Sequence, residues 1–96
     1  MIRHVVFFKF KPGTGEAKVA ELKQKLGGLP GQIPEILDFE FGEDIVKSPR
    51  SYDFALIGSF ADLAALDRYQ VHPDHQLVIA LVREISESVV AVDFTH

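Results

Sequence analysis

Cysteine and tryptophan are absent from these 96 residues, basic side chains are outnumbered by acidic ones, and no apolar run approaches membrane-spanning length. Without cysteine there is neither a disulfide framework nor a thiolate nucleophile, and small secreted domains ordinarily rely on such staples, so a cytoplasmic location is expected. Ten Lys and Arg against 14 Asp and Glu give a net charge of −4. That leaves no cationic field for phosphate backbones or anionic lipid, which argues against nucleic-acid and membrane partners. The N-terminal MIRHVVFFKFKPG is interrupted by Arg3, His4, Lys9 and Lys11, so it lacks the unbroken apolar stretch of a signal peptide. A soluble, unprocessed protein is expected.

What is present is apolar content of 47% with an ordinary 25% of charged residues, the composition of one globular domain over residues 1–96. A domain this small buries only roughly 60% of its unfolded surface, so a leftover apolar face would favour self-association.

From Ile2 to Phe10 the even positions Ile2, His4, Val6, Phe8 and Phe10 alternate with Arg3, Val5, Phe7 and Lys9, a period-two strand that wants cover on both sides. KPGTG ends it, and Thr14 is placed to cap a helix carrying Val19, Leu22, Leu26 and Leu29. The Gly- and Pro-rich GGLPGQIP is expected to end that helix in a loop. Leu37, Phe39 and Phe41 mark a second strand, and Tyr52 to Phe60 a third. Asp62 suits the cap of a short helix with Leu63, Leu66 and Tyr69. Pro73 breaks it and fits the first position of the next helix, which carries Leu77, Val78, Leu81, Val82 and Ile85. Val89 to Phe94 closes the chain as a fourth strand.

The order β, α, β, β, α plus α, β is an α+β, ferredoxin-like split βαβ sandwich: a four-stranded antiparallel sheet with helices on one face. The other sheet face is read as bare and apolar, carrying Val5, Phe7, Ala55, Ile57, Val89 and Ala91. A second copy of the chain, packed sheet to sheet, would cover it. An RNA-recognition module shares the strand order but needs exposed aromatics on a basic sheet, and HVVFFKF in an acidic chain does not supply them.

The stretch YQVHPDHQ concentrates the polar chemistry. With Pro73 first in its helix, His75 lies in line with Val78, Ile79 and Val82 and so looks inward. Burial and the positive end of a helix dipole both favour neutral imidazole, a base near pH 7, while Asp74 pushes the other way. Tyr69, one elbow earlier, can bring its hydroxyl to the same place as a donor. With His4 they would form a polar spot in an apolar enclosure lined by Phe8, Phe10, Phe54, Leu56 and Phe60. The plainer alternative stays open: His72 and Asp74 as boundary residues, Tyr69 and His75 as satisfied core side chains. A His-x-x-His metal site is disfavoured by Pro73 at the bend and the lack of further ligands, so no metal is expected.

RHVVFFKFK, YDFALIGSF, YQVHPDHQ and VAVDF, with His4, Tyr69, His72, Pro73 and His75 in that order, resemble the Dabb family, the stress-responsive dimeric α+β barrels, over almost the whole chain. The resemblance implies a homodimer with its sheets face to face. The family includes a plant polyketide cyclase that closes its substrate by an aldol condensation without a cofactor. By that resemblance His75 is the catalytic base and Tyr69 the catalytic donor. His4, His72, Phe8, Phe54, Leu26, Val78 and Ile79 are the ligand-binding candidates. No cofactor is expected, and a small hydrophobic ligand is the expected partner besides the second copy. A non-catalytic stress-responsive oligomer, and another dimeric-barrel enzyme such as a small monooxygenase or isomerase, are the competing readings.

Overall fold

In the computed structural model, which describes residues 1–96, the N-terminal alternation becomes β1 (Ile2–Phe10), with Ile2, His4, Val6 and Phe8 buried on one pleated face. The chain continues as α1 (Glu16–Gln32), β2 (Asp38–Glu43), β3 (Phe54–Phe60), α2 (Leu63–Val71), α3 (Pro73–Ile85) and β4 (Ser86–Thr95). The strands form one four-stranded sheet in the order β2-β3-β1-β4, each neighbouring pair antiparallel, with the helices on one face. This is the ferredoxin-like α+β arrangement that the element order implies. No helix is long and apolar enough to cross a membrane.

Two local expectations are overturned in α1. The helix does end within GGLPGQIP, but most of that stretch is helix and not loop: α1 runs through Gly27, Gly28 and Pro30 to Gln32. Packing is the reason: Leu22, Leu26, Leu29 and, just past the helix, Ile33 are fully buried. Burying each such side chain contributes about 1.5–3 kcal/mol, against the ~1 kcal/mol that a helical glycine loses relative to alanine. Nor does Thr14 cap the helix. Gly15 occupies that position without a side-chain bond, and Thr14 Oγ1 instead donates to the Lys11 carbonyl at 2.8 Å.

The helix pair is built as its punctuation suggests. Asp62 Oδ1 accepts from the Ala65 N–H at 2.8 Å, which starts α2, and Pro73 is the first residue of α3. His72 serves both helices, ending α2 and capping α3, its Nδ1 accepting from the Asp74 N–H at 3.1 Å.

A third correction concerns β4. Phe8 faces Val89 and Val6 faces Ala91, whereas Phe7 faces Val90 and Val5 faces Val92. Directly opposed residues of an antiparallel pair project to the same side. Val89 and Ala91 therefore belong to the helix side, and the bare face carries Val90, Val92 and Phe94 in their place.

Candidate functional site

The sheet is wider than its helical cover. β4 extends it on the β1 side, and Val89 and Ala91 remain exposed even though they point toward the helix layer. Between α3 and this overhang lies a cavity of about 330 Å³. Val6, Phe8, Leu26, Leu56, Val78, Ile79, Val82, Val89 and Ala91 make its apolar wall, and His4, Tyr69, Gln70, His75 and Arg83 supply its polar groups.

Tyr69 closes α2 and His75 opens α3, so the Pro73 elbow folds one ring against the other, their centroids 4.2 Å apart and the planes inclined at 44°. His75 is buried, and its Nδ1 lies 3.2 Å from the Gln70 carbonyl. A carbonyl only accepts, so Nδ1 carries the proton and Nε2 is left as the basic nitrogen. Burial pushes the His75 pKa below its ordinary value of 6.5, the Gln70 hydrogen bond opposing and the neighbouring His4 and His72 adding to the fall. The ring is therefore neutral near pH 7.

Tyr69 is fully buried, 0% exposed, and its hydroxyl has no hydrogen-bond partner within the chain. Burial raises its pKa above the ordinary 10, so the phenol stays protonated at neutral pH and keeps an O–H to donate. An unpartnered buried hydroxyl costs about 1–3 kcal/mol.

His4 completes the polar end. β1 pairs it with Asp93 of β4, and His4 Nδ1 is hydrogen-bonded to Asp93 Oδ1. The carboxylate thus fixes Nδ1 as a nitrogen that carries a proton. The His4 ring stands edge-on to Tyr69 at 6.2 Å. On its other side His4 pairs with Gly58, where a Cβ would come within 3.2 Å of the Phe39 and Phe60 rings. Glycine at that point lets the two rings close behind Tyr69, with Phe60 at 4.8 Å.

Of the residues singled out from the sequence, His4, Phe8, Leu26, Tyr69, His75, Val78 and Ile79 meet at this cavity. Leu56 of the expected apolar lining joins them, and four lie elsewhere: His72 is the cap between helices, Phe54 is a core residue packed on Phe8 and Phe41, and Phe10 and Phe60 are off the cavity wall. Val6, Gln70, Val82, Arg83, Val89, Ala91 and the supporting Asp93 were missed. Helical spacing from His75 reaches Val82 and Arg83, so α3 held that signal. The β4 residues had none, because Val89–Val92 has no alternation to set its phase.

No group of three or more His, Asp or Glu side chains converges as metal ligands would. Residues 2–96 match the Dabb family, the stress responsive A/B barrel domain. An uncharacterised protein of Streptomyces coelicolor is 40% identical over 93 residues, covering 95% of this chain and 96% of that one. The olivetolic acid cyclase of Cannabis sativa is 24% identical over 96 residues, covering 98% and 95%. A dimeric ferredoxin-like protein of unknown function from Thermobifida fusca superposes with a TM-score of 0.91 at 30% identity, over 99% of this chain and 90% of that one. The chain belongs to the stress-responsive A/B barrel (Dabb) family.

Proposed function

We propose that this chain acts as a homodimer whose cavity binds a small, mostly apolar carbonyl compound and performs cofactor-independent proton transfer on it. His75 is the base and Tyr69 the donor. The observation that carries the reading is the fully buried Tyr69 hydroxyl, without a partner in the chain, on a ring packed against a neutral histidine whose Nδ1 is committed to Gln70. With a ligand carbonyl oxygen accepting from Tyr69, His75 Nε2 removes a proton from the adjacent carbon, and the electron pair moves into the enolate that Tyr69 steadies. The enolate carbon then adds to a second carbonyl of the same molecule, forming the new C–C bond, and the proton returns from His75 to the alkoxide. This is an aldol closure balanced without electron or group carriers. The similarity to a cyclase supports that outcome, and the dimeric relative supports the homodimer.

The test needs no knowledge of the natural substrate. Exchange of the α-protons of 2-decanone into D2O, followed by proton NMR, reports the first half-reaction. His75→Ala and Tyr69→Phe are each expected to slow it about 10²- to 10⁴-fold with the thermal midpoint monitored alongside. Exchange no faster than in buffer, or unchanged in His75→Ala, would sink the catalytic reading and leave a non-catalytic oligomer.

A further inference from the structure

α3 presents His75, Ile79, Val82 and Arg83 to the cavity. Eight residues separate His75 from Arg83, so the two stand about 12 Å apart along the helix axis at 1.5 Å per residue. One end of the cavity is therefore the Tyr69, His75 and His4 cluster, the other the Arg83 guanidinium, with hydrocarbon between. The lining contains no Asp or Glu, in a chain where acids outnumber bases 14 to 10. Arg83 makes no ion pair or side-chain hydrogen bond, whereas Arg68 is bound to Glu35 at 2.8 Å and Lys18 to Glu84 at 2.9 Å. A basic residue in the last turn of α3 is favourable for the helix dipole alone. That accounts for the residue type; Arg83 is itself exposed, and it also lines the cavity.

We infer that the cavity selects an amphipathic carboxylate: a ligand with an apolar body, a carbonyl at the Tyr69 end and a carboxylate that Arg83 holds at the other. This deepens the proposed function and rests on it. Arginine suits the role because its planar fork meets both oxygens of a carboxylate and is always charged. The acidic remainder of the surface repels the same anion, so the cavity is where it settles.

Calorimetric titration with 9-oxodecanoate, a methyl ketone with a terminal carboxylate, and with its methyl ester separates the two layers of the argument. The acid is expected to bind the native dimer about fivefold more tightly than the ester, the upper range for an ion pair open to solvent, and to lose that advantage in high salt. Arg83→Gln should equalise the two compounds; Arg83→Lys should keep part of the preference. Equal affinities in the native protein, or a preference that survives Arg83→Gln, would overturn the carboxylate assignment while the cavity reading stands. Failure of both compounds to bind would overturn both.

Discussion

A buried histidine held neutral becomes a burden on the fold once the solvent would protonate it, and His75 is such a residue. Its folded pKa lies below the ordinary 6.5 because of burial, so as pH falls the unfolded chain takes the proton first. The stability it contributes is complete above about pH 6.5, declines as pH drops from there toward the folded value, and levels off below it. The thermal midpoint should accordingly fall between pH 7 and pH 5, and His75→Gln should remove that part of the slope in calorimetric scans. The same depression keeps Nε2 unprotonated at acidities where a solvent-exposed imidazole is already charged. Asp93 acts at this scale through its neighbour: it touches the His4 ring outside the cavity wall and sets its tautomer. Asp93→Ala should lower stability by up to about 1.5 kcal/mol, the net worth of a hydrogen bond. Long-range proton–nitrogen NMR spectra should then show His4 exchanging between tautomers, a change that a merely structural role would not produce.

At the scale of elements, α1 is stabilised by its neighbours more than by its own sequence. Gly28 is exposed, and an added Cβ would meet nothing closer than the Gln32 side chain at 3.8 Å. Gly28→Ala should therefore raise unfolding stability by about 0.5–1 kcal/mol. Pro30→Ala should add to this by restoring an N–H for the Leu26 carbonyl. Leu22, 0% exposed and off the cavity wall, should lose about 2–5 kcal/mol on replacement by alanine; urea denaturation of the three variants checks the signs. The same helix shows where sequence reading succeeds and where it stops. Its apolar spacing named Leu22, Leu26 and Leu29 correctly, because periodicity reports which face is buried. Its end was misread, because local glycine and proline preferences are overridden by Ile33 and Leu29 anchoring the last turn in the core. β4 failed for a different reason: four consecutive apolar residues carry no phase, and pairing with β1 alone decides which of them face the helices. The elbow was legible, since Pro73 at the first helical position leaves little freedom in where His75 points. The polar end of the cavity and much of its apolar wall were legible with it; its β4 side was not, because that side arises from β4 overhanging α3, a relation between distant segments.

For the whole molecule the decisive feature is the face that the helices leave uncovered. Phe7, Val90, Val92 and Phe94 are each more than 40% exposed there, and the register sets Phe7 beside Val90 and Val5 beside Val92. An apolar strip of this kind on one side of a sheet is unusual for a monomer, and two copies placed face to face would remove it from water. Sedimentation equilibrium should thus give twice the 10.7 kDa of one chain. The thermal midpoint should climb with protein concentration, since dissociation accompanies unfolding. Val92, the most exposed of the four at 64%, is the sharpest probe: an aspartate there would bring two like charges to a dry interface, so Val92→Asp should sediment as a monomer and lose the concentration dependence. Val92 lies on the opposite side of the sheet from His75 and Tyr69. A Val92→Asp monomer that stays folded and still exchanges the α-protons of 2-decanone would show that one copy is enough for the chemistry and that the dimer serves stability. Loss of exchange in a folded monomer would instead tie the site to the assembled pair, through the register that β1 and β4 hold between His4 and Asp93.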